Sequence, residues 1–133
     1  MSQQPGLYGL QVFIVEDEVI ASMELEDMLA DFGCTVAGVA ATVDDAMSKV
    51  LATDAIDAAI LDVHVGGEMI FPIADVLVAR GIPFVFSTGY GSADLVRRYP
   101  QSPLLNKPYD ADTLANILKD FLNAAPSHDP TLR

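Results

Sequence analysis

Short β-rich runs alternate with amphipathic stretches along almost the whole chain, and this alternation constrains the fold more than any other feature. Five runs have the length and apolar character of strands: residues 10–15, 35–39, 58–61, 82–87 and 104–105. Apolar residues recur at helical spacing after each run, which predicts five helices. Strands that alternate with helices pair in parallel and are covered on both faces. The pattern therefore predicts a doubly wound α/β fold with a five-stranded parallel sheet.

Residues at the predicted helix ends support this assignment. Gly33 is placed to end the first helix, and Thr42 is placed to cap the second. Pro72 falls in the first turn of the third helix, where a missing N–H is tolerated. Asp110 or Asp112 caps the fifth helix, which has the most regular apolar spacing of the five.

The chain has 133 residues, the size of one domain. We predict a flexible N-terminus over residues 1–9, one folded domain over residues 10–122 and a flexible tail over residues 123–133. No basic segment followed by an apolar run marks a signal peptide. No apolar run approaches the roughly 20 residues of a membrane span, so we expect no membrane association.

The charge of the chain argues against nucleic acid as a partner. The formal net charge is −12, and the seven basic residues form no stripe. Binding to nucleic acid depends on Lys and Arg that neutralise phosphates. Cys34 is the only cysteine, which rules out an intramolecular disulfide and fits a reducing compartment. We therefore expect a cytoplasmic protein.

Chemically useful side chains occur where four of the predicted strands end. Glu16 and Asp17 follow the first strand, Asp62 the third, Thr88 the fourth and Lys107 the fifth. In open α/β sheets, sites form at the carboxyl ends of strands. Crowded carboxylates either share a proton or bind a cation, and oxygen ligands of this kind suit Mg²⁺. An aspartate in such a site can act as a nucleophile toward phosphorus.

Each of these residues also has a purely structural interpretation. Acidic residues at a helix start often only compensate the helix dipole. A lone Asp62 could be a surface residue, a lone Thr88 a turn residue and a lone Lys107 a solvated one. Only the occurrence of all of them at strand ends favours a site.

Four motifs in order resemble the receiver domains of two-component response regulators. They are residues 15–18 (VEDE), 60–63 (ILDV), 87–89 (STG) and 106–109 (NKPY). The resemblance covers residues 10–122, and it implies a flavodoxin-like receiver fold with the strand order 2-1-3-4-5. It implies a cytoplasmic signalling switch and not an enzyme, with at most autophosphatase activity.

The resemblance also assigns metal ligands. Asp17 would bind Mg²⁺ (or Mn²⁺) directly, and Glu16 would bind it through water. Asp62 and the backbone carbonyl of His64 would complete the protein ligands.

The same resemblance assigns the phosphoryl chemistry. Asp62 would accept the phosphoryl group from a sensor histidine kinase. Thr88 and Lys107 would contact its oxygens, and Lys107–Pro108 would be a cis peptide. The signal would then pass by contact with an unknown downstream protein.

Two positions depart from the common receiver pattern. Leu104 stands where chemotaxis-type receivers carry an aromatic switch residue, and residues 64–68 replace the usual Met-Pro-Gly loop. Residues 86–91 (FSTGYG) resemble the Phe-Ala-Thr-Gly-x-Tyr motif of a subgroup of single-domain receivers. Tyr90 is accordingly a candidate switch residue.

Several other functions compete with the phosphoacceptor switch. A phosphatase of the haloacid dehalogenase type needs a second aspartate at position 64, which is His64. A flavodoxin-like cofactor carrier needs a phosphate-binding first loop, and the acidic residues 16–18 would repel phosphate. A phosphate sink, a phosphorelay carrier and an unphosphorylated receiver-fold scaffold remain open.

Overall fold

The structure is a computed structural model that describes residues 6–89 and 93–124. The strands in these residues are β1 (Gln11–Val15), β2 (Thr35–Ala40), β3 (Ala58–Asp62), β4 (His64–Val65), β5 (Glu68–Met69), β6 (Phe84–Thr88) and β7 (Leu104–Asn106). The helices are α1 (Val19–Phe32), α2 (Val43–Ala52), α3 (Phe71–Ala79), α4 (Ala93–Arg98) and α5 (Ala111–Ala124). No helix in the described part of the chain has the length and apolar character needed to cross a membrane.

Five strands form one parallel sheet in the order β2-β1-β3-β6-β7. Counting only these five, the order is 2-1-3-4-5, which confirms the predicted fold. The chain first winds outward from β1 to β2 and then returns to β3 on the other side of β1. The strand order therefore reverses between β1 and β3, where sites form in folds of this kind.

The sheet separates two apolar layers of the core. Ala59 and Leu61 of β3 face the layer formed with α2, α3 and Tyr99, while Ala58 and Ile60 face the layer formed with α1 and α5. All four of these apolar residues are buried. A strand buried on both faces can be apolar throughout, which explains why β3 shows no alternation in sequence.

The capping predictions are confirmed at the helix ends. Gly33 ends α1 in the left-handed region with φ +89°, and its N–H donates to the carbonyl of Ala30. The Thr42 hydroxyl accepts the N–H of Asp45 at 3.0 Å. The N–H of Thr113 donates to Asp110 at 2.8 Å, so Asp110 is the side chain that caps α5.

Two segments depart from the sequence-based expectation. The sequence predicts a loop over residues 64–68, but β4 and β5 pair as an antiparallel hairpin with a two-residue turn. The sequence predicts that residues 6–9 are flexible, but Leu7 is fully buried and its carbonyl accepts the N–H of Leu10. The apolar side chain of Leu7 joins the α1–α5 layer, so the packed structure includes these residues. Residues 125–133 of the predicted tail lie outside the described residues.

Candidate functional site

Two acidic side chains follow β1 in very different surroundings. Glu16 is 6% exposed, and its backbone N–H extends the β1–β2 pairing by donating to Ala40. One Glu16 carboxylate oxygen accepts the N–H of Glu18 at 3.1 Å. Asp17 is exposed, and its Oδ2 accepts the N–H of Gly66 at 2.8 Å. Both carboxylates are therefore held by backbone donors.

Asp62 ends β3 beside this acidic pair. Val15 and Leu61 are partners in the parallel register, so the residues that follow them, Glu16 and Asp62, emerge next to each other. One carboxylate oxygen from each of Glu16, Asp17 and Asp62 lies within 4.8 Å of the others. The Asp62 side chain is only 13% exposed. Three carboxylates at this separation repel one another strongly unless a cation or a proton lies between them.

Lys107 follows β7 and reaches across the sheet edge to this cluster. Its Nζ lies 3.0 Å from Asp62 Oδ1 and 3.4 Å from Glu16 Oε1. The backbone fixes its origin, because the Lys107 N–H donates to the Thr88 carbonyl at 2.9 Å. The Lys107–Pro108 peptide is cis, as predicted.

The titration of the cluster reflects this crowding. The pKa of Asp62 is raised to about 6, mainly by burial; the hydrogen bond and charge of Lys107 oppose this shift, and the Glu16 carboxylate adds to it. Burial acts to lower the pKa of Lys107, but its hydrogen bond to Asp62 and the charges of Asp62 and Glu16 raise the pKa above its ordinary value. The geometry thus keeps the lysine charged and the Asp62 carboxylate poorly solvated.

The other predicted site residues lie around the same edge or outside the described residues. Thr88 ends β6 and is buried, while His64 is exposed at the start of β4. Leu104, at the position of the missing aromatic residue, packs half-buried against the layer formed with α2 and α3. The switch candidate Tyr90 lies outside the described residues.

One participant was not found from the sequence, namely the amide of Gly66. Its contact with Asp17 joins residues 49 positions apart, and nothing in a periodic pattern predicts such a pair. The adjacent glycines 66 and 67 between two short apolar–polar runs were a usable signal for a two-residue hairpin turn. That signal predicts the turn, but it does not predict that the Gly66 amide contacts Asp17.

A cavity of about 850 Å³ lies at the opposite edge of the sheet. It is bordered by residues at the amino ends of strands, among them Leu10, Asp57 and Pro83. None of the carboxylates of the cluster and no part of Lys107 borders it. Its volume is suited to a ligand, but the chemically active groups lie at the carboxyl edge.

Comparisons with known proteins show the family of the chain. The chain is similar to SdrG from Sphingomonas melonis Fr1, with 46% identity, a TM-score of 0.74, and coverage of 86% of this chain and 97% of that one. It is similar to the receiver domain of the response regulator PhyR from Erythrobacter litoralis, with 25% identity, a TM-score of 0.73 and coverage of 86% and 91%.

A third similar structure is the BeF3-activated conformation of SdrG from Pseudomonas melonis Fr1. It shares 45% identity with the chain at a TM-score of 0.68, and the match covers 82% of this chain and 92% of that one. No protein-family model matches the chain, and no curated protein matches it. The identity to SdrG over nearly its full length, together with the shared fold, decides the assignment. The chain therefore belongs to the family of response regulator receiver domains.

Proposed function

We propose that this chain is a phosphoacceptor switch that takes a phosphoryl group onto Asp62 in a Mg²⁺-dependent reaction. The observation that carries the proposal is the position of the Asp62 carboxylate. It lies within 4.8 Å of two further carboxylates and 3.0 Å from the Lys107 ammonium, at the point where the strand order reverses. A structural carboxylate gains nothing from two like-charged neighbours, whereas a metal-assisted nucleophile needs them.

The donor set fits a hard divalent cation. Glu16, Asp17 and Asp62 offer only oxygen ligands, and the described residues place no His or Cys in the cluster. Mg²⁺ and Mn²⁺ prefer such ligands. The backbone carbonyl of His64, two residues after Asp62, would be a fourth protein ligand. Once bound, the cation would offset the negative charge of the carboxylates and of an incoming phosphoryl group.

Phosphoryl transfer needs few protein groups beyond the nucleophile. An ionised Asp62 oxygen attacks the phosphorus of a phosphohistidine, forming an O–P bond as the N–P bond breaks, and the electron pair returns to the imidazole nitrogen. The product is an aspartyl phosphate. Attack of water on the phosphorus later releases inorganic phosphate and restores the Asp62 carboxylate.

Lys107 and Thr88 would stabilise the transferred group. The Lys107 Nζ already lies near Asp62 Oδ1, so a phosphoryl oxygen on Asp62 would fall within its reach. Thr88 ends the strand next to β3, one residue beyond Ser87, which pairs with Asp62 in the register. Its hydroxyl would donate to a phosphoryl oxygen. Tyr90, two residues further, remains our candidate for reporting the modification.

A protein partner would supply the phosphoryl group. Val19, Ile20 and Met23 are 72%, 72% and 57% exposed on α1, which begins next to Glu16 and Asp17. Exposed apolar side chains that cluster beside a site are typical of a protein-binding surface. This surface supports the docking of a protein partner. We infer that the partner that donates the phosphoryl group is a sensor histidine kinase in the cytoplasm, and that the signal passes on by contact with a further protein.

The proposal is tested with beryllofluoride, a mimic of the phosphoryl group. SdrG, which is 45% identical to this chain, has a BeF3-activated conformation. With Mg²⁺ present, we expect beryllofluoride to shift the amide NMR signals of Asp62, Thr88 and Lys107. Asp62→Asn should show no such shift, while Asp57→Asn, at the other end of β3, should behave as the wild type. A wild type that shows no shift would contradict the proposal.

A further inference from the structure

The β4–β5 hairpin is anchored in the core. His64 pairs with Met69 and Val65 with Glu68, and the Ile70 N–H closes the base by donating to the Val63 carbonyl at 2.9 Å. Val65 and Ile70 are 1% and 0% exposed. The hairpin therefore cannot shift without exposing two apolar side chains.

The turn of this hairpin has a backbone that favours glycine. Gly66 and Gly67 have φ values of +59° and +82°, and two successive positive values define the turn type that suits a two-residue hairpin. A Cβ added at Gly66 would meet nothing within 4 Å. A substitution there therefore acts through backbone conformation and not through a steric clash.

The turn reaches one of the acidic residues of the site. The Gly66 N–H donates to Asp17 Oδ2 at 2.8 Å, although the Asp17 side chain is exposed and lies on a different loop. An exposed aspartate side chain would otherwise sample several rotamers. A backbone N–H that donates to its charged carboxylate restrains the side chain to one of them. The bond occupies one carboxylate oxygen and leaves the other for a cation.

We propose that the β4–β5 hairpin turn is a positioning element for the metal site, in which the Gly66 amide holds the Asp17 carboxylate in the orientation that binds the cation. This inference rests on the proposed function, because it assumes that Asp17 is a metal ligand. Loss of a hydrogen-bond donor to a metal-binding carboxylate commonly weakens metal affinity about 10- to 100-fold. The hairpin that follows Asp62 in the chain would thus orient the ligand contributed by the loop after β1.

The test compares Mg²⁺ affinity in matched glycine variants. Gly66→Val should weaken Mg²⁺ binding about tenfold, because a β-branched residue does not adopt a positive φ. Gly66→Asn should bind nearly as the wild type, since Asn tolerates this conformation and keeps the N–H. Gly81→Val is the control: Gly81 has φ +72° with nothing within 4 Å of an added Cβ, and it lies after α3, away from the cluster.

Each outcome decides a separate point. Equal Mg²⁺ affinity in Gly66→Val and Gly81→Val, or no recovery in Gly66→Asn, would overturn the positioning role while leaving the metal site intact. A wild type that binds no Mg²⁺ would instead overturn the proposed metal site.

A second measurement uses the unaltered chain. Coupling between two events is reciprocal, so a hairpin contact that favours the metal must itself be favoured by the metal. Hydrogen exchange at the Gly66 amide should slow severalfold when Mg²⁺ is added to the wild type, while exchange at Gly81 stays constant. An unchanged rate at Gly66 in Mg²⁺-saturated protein would overturn the inference even if the Gly66→Val variant did not fold.

Discussion

The carboxyl edge of the sheet and the interior beneath it are built in opposite ways. At the edge, three carboxylates cluster beside the ammonium group of Lys107. In the interior, apolar side chains fill both layers. The described chain buries four polar residues, Glu16, Ser22, Ser87 and Thr88, and three of them belong to strand ends at this edge.

This difference separates what stabilises the fold from what the fold is used for. Apolar burial contributes most of the folding free energy, and it is distributed over many residues. The carboxylate cluster acts against folding, because its members are crowded and partly desolvated. Sites that are poised for function commonly reduce stability in this way. Substitutions in the two regions should therefore have opposite signatures in stability and in metal binding.

The largest effect on stability should come from the interior. Leu114 is fully buried on α5, so Leu114→Ala should lower the free energy of unfolding by about 3 kcal/mol through lost burial and a residual cavity. Chemical denaturation measures this change. Leu51→Ala, at a side chain that is 64% exposed on α2, should change it by less than about 0.5 kcal/mol. Mg²⁺ affinity of the folded Leu114→Ala variant should stay that of the wild type; a large loss of affinity would break the separation.

The edge should show the reverse signature. Asp17→Asn keeps an acceptor for the Gly66 N–H but removes one charge, so Mg²⁺ affinity should fall by about 10- to 100-fold. Without metal, its stability should equal or exceed that of the wild type, because like-charge repulsion is relieved. Calorimetric titration and denaturation in EDTA measure the two quantities.

Asp27→Asn provides the charge-matched control for Asp17→Asn. Asp27 is exposed on α1, and its substitution by Asn removes the same charge at a position away from the cluster. Equal Mg²⁺ affinities in the two variants would count against Asp17 as a ligand.

A smaller effect should appear in the pH dependence of stability. The pKa of Asp62 is about 6 in the folded chain and has an ordinary value of 3.8, so the folded state binds the proton more tightly than the unfolded state. Its contribution to stability therefore rises as the pH falls through this window. Between pH 7 and pH 5 in EDTA, the wild type should gain about 1 kcal/mol relative to Asp62→Asn. Parallel stability curves for the two proteins would show that Asp62 is not desolvated.

The interior was predictable from the sequence because it depends on local periodicity. The apolar spacing of Leu114 and Leu118 predicts a buried helix face whatever its partner is, and both residues are buried. The edge was predictable only in part. Parallel pairing places Glu16 beside Asp62 once the strand order is known, so the cluster follows from topology.

The remaining details depend on distances that no local pattern encodes. The Gly66–Asp17 hydrogen bond depends on the orientation of a two-residue turn relative to the sheet edge. The sequence shows only the two glycines of that turn. The burial of Leu7 similarly depends on how the chain before β1 packs against the α1–α5 layer, because a single apolar residue forms no periodic pattern.

The most direct test of the central claim is covalent labelling of Asp62. Wild type and Asp62→Asn are incubated with acetyl phosphate and Mg²⁺, and intact mass is measured with EDTA as the parallel control. The account predicts the gain of one phosphoryl group in the wild type, and no gain in Asp62→Asn or in EDTA. A phosphoryl group on Asp62→Asn, or labelling of the wild type that persists in EDTA, would contradict it.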